Sequence, residues 1–201
     1  MRTKRYFLPL ALAVTLTSGC AKEAFNIQNV DPGQAGRVRS LGPESQDVVR
    51  VAELMVRSLL ASPVIAEEPT PPTIVLLDME NNTRFPFNKD VFTTKLKAEL
   101  TKAAGGRLRF AARDVWDDVM SERDAKRSGE VDYDPDRRTV AVAGADYFLK
   151  GRVDSLSTVS RMGQSEYAVY AFKLVDAETM IEVWEDVYDV KKEGKDDVVY
   201  R

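Results

Sequence analysis

Residues 146–191 hold three β-rich segments, 146–157, 165–176 and 181–191, separated by the turn signals Met162-Gly163 and Ala177-Glu178-Thr179. Strands joined by connections this short pair antiparallel, as a meander. Upstream, TIVLLDM (73–79) is a nearly continuous apolar run, as expected of a strand covered on both faces. A helix over 89–104, with Asn88 as N-cap, Gly105 as stop and a face of Phe92, Leu96, Leu100 and Ala103, separates it from a second strand. That strand, 107–112, sets Leu108 and Phe110 on one side. A strand–helix–strand unit needs a right-handed crossover, which places 73–79 and 107–112 parallel in one sheet. The predicted fold class is therefore α/β: a single mixed β-sheet, made of a parallel βαβ unit extended antiparallel by the three-strand meander, flanked by helices.

The rest of the chain fits around that sheet. From Pro43, Val48, Val51, Ala52, Met55, Leu59 and Leu60 recur at three- and four-residue spacing, which predicts an amphipathic helix ending at Pro63. A Pro-rich loop covers 62–72, and helical segments are expected at 114–126 and 136–143. The order is α-β-α-β-α-α-β-β-β, one domain over 44–201 with no internal repeat.

The first twenty residues read differently. Arg2, Lys4 and Arg5 precede an apolar run from Tyr6 to about Leu16, then Thr17, Ser18 and Gly19 lead to Cys20. A basic start, a short apolar stretch and small residues describe a secretory signal peptide, and the apolar run is shorter than the ~20 residues of a membrane-spanning helix. LTSGC resembles the bacterial lipobox, which is cut before a cysteine that is then acylated. Residues 1–19 are thus expected to be a lipoprotein signal peptide, with Cys20 as the lipid attachment site. Ala21 after the cysteine resembles the pattern of lipoproteins sorted to the outer membrane. Residues 20–43, rich in Asn, Gln, Gly, Pro and Asp, read as the lipidated cysteine and a flexible tether. As a coil, that tether spans only about 25–30 Å.

Composition narrows the chemistry. The chain has no histidine and one cysteine, so it lacks Ser-His and Cys-His nucleophile pairs, His-based zinc sites and an internal disulfide. Its net charge of −3 becomes −6 once Arg2, Lys4 and Arg5 are removed with the signal, which argues against nucleic acid as a partner. Asp132, Asp134 and Asp136 alternate as in a calcium loop, but Arg137 stands where glycine is needed and Ala143 where a bidentate acid is needed. A solvated acidic turn is the better reading. Asp117 with Asp118, and Glu182 with Asp186, are carboxylate pairs that a polar helix face or strand side already explains. AAGGR (103–107) suits a helix C-cap rather than a phosphate loop, and no GxSxG elbow is present. Trp116, Trp184, Tyr147, Tyr167 and Tyr170 are read as packing residues. No catalytic residue, metal ligand or cofactor is expected. The loop ENNTRFPFN (80–88) is the strongest binding candidate, with Asn82, Arg84, Phe85 and Phe87 as possible partner-binding residues just past the first buried strand. The alternative for Phe85 and Phe87 is to plug the core.

Four stretches in order carry a resemblance: LGPESQDVVRVAELMVRSLLASP (41–63), VLLDMENNTRFPFNKDVF (75–92), GADYFLKGRVDSLST (144–158) and FKLVDAETMIEVWEDVYDVKKEGKDDVVYR (172–201). Together they resemble the LpoB family, outer-membrane lipoprotein activators of penicillin-binding proteins. The resemblance implies a fold akin to the TolB N-terminal domain and CsgG. It also implies no catalysis and no cofactor, and a bifunctional penicillin-binding protein as partner at the periplasmic face of the outer membrane. The alternative is an accessory lipoprotein of an envelope assembly or secretion complex built on the same module. One departure stands out: well-known members have a long tether, whereas 21–43 is short. Asp146, Gly151 and Trp184 are expected to hold the sheet rather than the partner.

Overall fold

A computed structural model describes residues 27–132, 134 and 141–195. Cys20, Asp136, most of the helix expected at 136–143 and the end of the GKDDVVYR motif lie outside the described residues.

Helix α1 (Ser45–Ala61) begins at a turn in which the Glu44 N–H donates to Asp47 Oδ2 at 2.9 Å. It ends before Pro63, because Ser62 takes the extended conformation that a following proline imposes. The expected loop over 62–72 instead starts with a one-turn helix, α2 (Pro63–Ala66), since proline at the first helical position has no N–H to leave unsatisfied. Helix α3 (Lys89–Ala104) has the expected ends: Asn88 accepts the Asp90 N–H at 2.9 Å, and Gly105 closes it at φ 55°. Its buried face is Phe92, Leu96, Leu100 and Ala104, not Ala103. Four-residue steps carry the stripe to 104 and leave Ala103 exposed.

Strand β1 (Thr73–Leu76) is shorter than the expected 73–79. After Leu77–Met79 the chain resumes as β2 (Glu80–Asn82), inside the stretch read as loop. Both pair parallel with β4 (Tyr147–Val159), Leu76 opposite Leu149 and Glu80 opposite Arg152. Three residues on one strand, 77–79, against two on the other, Lys150 and Gly151, make a bulge, which re-aims the side chains beyond it. Strand β3 (Arg109–Phe110) is parallel to β1, as expected, but only two residues long. Past a short 3-10 turn lies α4 (Trp116–Ser128), which has no buried residue. Strands β5 (Gln164–Asp176) and β6 (Glu182–Gly194) complete the meander with β4.

The sheet order is β3-β1-β4-β5-β6, with β2 beside β4. The meander therefore joins the βαβ unit by a parallel pair, β1 with β4, and not antiparallel as expected. The second connection, through α4, returns the chain in the same direction as the first. Only β5 and β6 run antiparallel to their neighbours.

The core lies on one face of the sheet. Register sets Leu149 opposite Leu174, Gly151 opposite Phe172 and Val153 opposite Tyr170, and all six are buried. Against them pack Val51, Met55 and Leu59 of α1 and Phe92, Leu96 and Leu100 of α3. Phe92 stacks on Tyr170 at 5.7 Å and 21° and meets Phe172 at 5.9 Å. The other face bears Lys150, Arg152, Lys173 and Glu185, with Leu156, Tyr167 and Val187 exposed.

Two sequence candidates for holding the sheet do so. Asp146 accepts the Thr73 N–H at 2.6 Å, donates its own N–H to the Thr73 carbonyl at 2.8 Å, and accepts the Ala177 N–H at 2.9 Å. It ties β1, β4 and the β5–β6 turn together. At Gly151 a Cβ would stand 2.6 Å from Cε1 of Phe172, closer than packed carbons approach. Gly151→Ala is therefore expected to cost about 1–3 kcal/mol, because the ring must shift within a filled core. A lowered urea midpoint at unchanged slope measures it. Trp184 is half-buried at the core margin.

Candidate functional site

At one end of the sheet the 80–88 loop, the β4–β5 hairpin and the segment entering α1 come together. Local hydrogen bonds shape the loop. Asn81 Oδ1 accepts from the Thr83 N–H at 3.0 Å and from its hydroxyl at 2.8 Å, while Asn81 Nδ2 donates to the Phe85 carbonyl at 2.9 Å. The Phe85 N–H donates to Thr83 Oγ1 at 3.1 Å. Asn and Thr side chains that bond nearby backbone are what let so short a stretch turn sharply.

Each loop residue named from the sequence has a definite place. Asn82 is exposed and its Nδ2 donates to Asp154 Oδ1 at 2.8 Å. Arg84 donates from Nε to Glu166 Oε2 at 3.2 Å and from Nη2 to Gln164 Oε1 at 3.1 Å. Its guanidinium lies over the Phe85 ring, 4.4 Å from the centroid, so a cation and an aromatic face stabilise each other. Phe85 is buried and Phe87 is half-buried against the core. The aromatic residues therefore plug the core, and the loop presents Asn82, Arg84 and Pro86 to solvent.

Sequence reading missed the group that holds Arg84. The Glu166 side chain is 1% exposed, against 43% for Arg84. It accepts the Ser157 hydroxyl at 2.6 Å through Oε2, whereas its Oε1 is buried and makes no hydrogen bond among the described residues. Burial pushes the carboxyl up, but the Ser155 and Ser157 hydroxyls and the Arg84 guanidinium outweigh it and hold the pKa below the ordinary 4.5. A signal was present in the sequence: Glu166 shares the parity of Ala168, Tyr170, Phe172 and Leu174, so a strand with those residues inward also carries Glu166 inward.

Lys192 is the second such residue, in step with Tyr188 and Val190. Its Nζ donates to the Gly42 carbonyl at 2.8 Å, Asp47 Oδ2 at 2.6 Å and Glu44 Oε2 at 3.3 Å, pinning the approach to α1 against β6. Between this pin and the loop lies a cavity of about 10 Å³ bounded by Pro43, Thr83, Phe85, Ser155, Glu166 and Lys192.

Glu166→Gln keeps the shape but removes the charge facing Arg84. A lowered folded pKa means that Glu166 contributes stability above its unfolded value, and that this contribution is lost as pH falls through the folded value. The variant is expected to be less stable at pH 7 by about 1–3 kcal/mol. The gap should close as the pH falls below about 4.5, the ordinary value. Denaturant titrations across that range check it; a gap independent of pH would mean that the ion pair is not its source.

The other candidates are dispersed. Asp132 and Asp134 are exposed, and among the described residues no group of three or more His, Cys, Asp or Glu is placed to hold a metal. Asp117 and Asp118 lie exposed on α4. Glu182 pairs with Lys173 at 3.1 Å, and Asp186 Oδ1 accepts the Val187 N–H at 2.8 Å. Trp116 is exposed beneath Arg113, 5.3 Å from its ring. The Tyr147 hydroxyl donates to Glu68 Oε1 at 2.7 Å; that bond and partial burial push its pKa up to about 12.

Residues 47–190 match the family described as peptidoglycan-synthase activator LpoB. The chain is similar to the LpoB C-terminal domain from Salmonella enterica at 14% identity and TM-score 0.44, over 72% of this chain and 98% of that one. It is similar to the same domain from Escherichia coli at 16% identity and TM-score 0.43, over 72% and 98%. Lipoprotein GNA1162 from Neisseria meningitidis is similar at 15% identity and TM-score 0.35, over 61% and 84%. No curated protein matches the chain.

Proposed function

Because the chain belongs to the LpoB family of peptidoglycan-synthase activators, we propose that it is a non-enzymatic lipoprotein, anchored to the outer membrane through Cys20, that binds a bifunctional penicillin-binding protein in the periplasm and raises its output. In this reading residues 1–19 are the cleaved signal, 20–43 the tether and 44–201 the working domain. The observation that carries it is the family match over 47–190, which runs from the first turn of α1 into β6 and so takes in the whole fold together with the 80–88 loop.

The loop surface of Asn82 and Arg84 is the proposed contact, with Phe85 and Phe87 acting beneath it. Phe85 backs the Arg84 guanidinium and Glu166 fixes its direction, so the cation is presented at little entropic cost. Activation follows if the domain prefers the synthase's active conformation, since a partner shifts an equilibrium only by its differential affinity. The short tether adds a geometric condition: the synthase must reach to within about 25–30 Å of the outer membrane plus the depth of the domain.

The test is glycan-strand polymerisation by the purified bifunctional synthase of the same organism, with and without residues 41–201. A higher rate with the domain present is expected, with Arg84→Ala reducing the gain. An unchanged rate, together with capture of secretion or assembly components instead of a synthase, would replace this reading.

A further inference from the structure

We propose that the outer edge of β6 takes up an extended, basic segment of the partner protein as an added strand; the proposal rests on the docking role above and names the form that docking takes. The direction of each backbone group along β6 follows from the meander. The Ser160 N–H donates to the Gly163 carbonyl at 2.8 Å, which makes these two a hydrogen-bonded pair. Counting from it along the register, the odd residues of β5 turn their N–H and C=O groups to β4 and the even ones to β6. The Asp176 N–H donating to the Ile181 carbonyl at 2.9 Å agrees. Tyr170 lies opposite Tyr188 and Phe172 opposite Asp186, so the even residues of β6 are committed to β5. Glu185, Val187, Asp189, Lys191 and Glu193 then turn their backbone groups outward, and all five are exposed.

Among the described residues no strand pairs with that edge. A long unpaired edge is a template for another strand, and lysine or proline commonly blunts it. Here residues 182–189 carry Glu182, Glu185, Asp186 and Asp189 and no cation. Lys173 offsets Glu182 at 3.1 Å, but Lys192 offsets none of the others, because its ammonium is held inward by Glu44 and Asp47. The edge is partly guarded, since Asp186 Oδ1 meets the outward Val187 N–H at 2.8 Å. An incoming strand with Lys or Arg at alternate positions would face Glu185 and Asp189 on the open side of the sheet, pairing unlike charges across strands. A second copy of this chain fits less well: pairing two β6 strands about Val187 sets Glu185 opposite Asp189 twice.

The experiment uses the full chain. Asp189→Pro removes an outward N–H while leaving the β5–β6 ladder intact, and is expected to weaken binding to the bifunctional synthase at least about tenfold with little change in Tm. Asp189→Lys, which alters charge and not backbone, should weaken it in the same direction and covers the case in which the proline variant unfolds. Unchanged affinity in Asp189→Lys and in any folded proline variant overturns the added strand while leaving the docking role in place. If the wild type binds no synthase, the docking role fails separately. The edge is then decided by titrating a nonapeptide of alternating Lys and Thr into ¹⁵N-labelled protein. Slowed amide exchange at Glu185, Asp189 and Lys191 supports the proposal; no change there, or self-association through β6, overturns it.

Discussion

Phe92→Ala is expected to lower the stability of the domain by about 3–5 kcal/mol, the range for removing a buried aromatic side chain. Phe92 is fully buried and is the aromatic contact of α3 with the middle of the sheet, with Tyr170 and Phe172 both within 6 Å of its ring. The cavity has little chance to collapse. Leu96 is fixed one turn away on the same helix, and the two remaining rings stand on β5, which is bonded on both sides. Chemical denaturation with fluorescence and far-UV circular dichroism in parallel measures the loss. A cost below about 1 kcal/mol would mean that α3 does not hold to the sheet through this ring.

Cys20→Ser should produce the largest change in behaviour, with no change in the folded domain. If Cys20 carries the lipid, each buried CH₂ of its acyl chains contributes about 0.8 kcal/mol to anchoring, and a serine in its place contributes none. The variant is expected to lose fatty-acid label and to accumulate as precursor or as soluble protein, while the isolated domain unfolds at the same denaturant concentration as before. Label persisting on the variant would sink the lipid-anchor reading. Anchoring would matter to the proposed activation because a tether over 20–43 would confine the domain near the membrane and set its effective concentration toward a partner there.

Much of the fold was legible because local rules acted without opposition. Asn88 and Gly105 bound α3 where capping chemistry places them, and the Met162-Gly163 and Ala177–Thr179 signals fall in the two hairpin turns. The candidate loop was legible as a position, just past the first buried strand, but not as a surface. Its recognition-type composition did not tell which side chains face out; Phe85 is in and Arg84 out on a loop that the Asn81 and Thr83 side chains bend by bonding its backbone. Ala103 was misplaced for a related reason, since whether a stripe continues at three or four residues depends on what packs against it.

The sequence by itself determined the α/β class, the helices at 45–61 and 89–104 and the three-strand meander, because periodicity, caps and turn residues act over a few neighbouring positions; it missed α2 and β2. It also excluded the histidine- and disulfide-based chemistries by composition alone. Only the tertiary structure decided that β4 joins β1 in parallel, that Glu166 holds Arg84, that Lys192 pins the approach to α1, and that the odd residues of β6 face outward. The first three are relations between residues 73 to 150 positions apart. No local preference encodes them; they arise when burying one face of a sheet forces charged residues of the same parity to find partners.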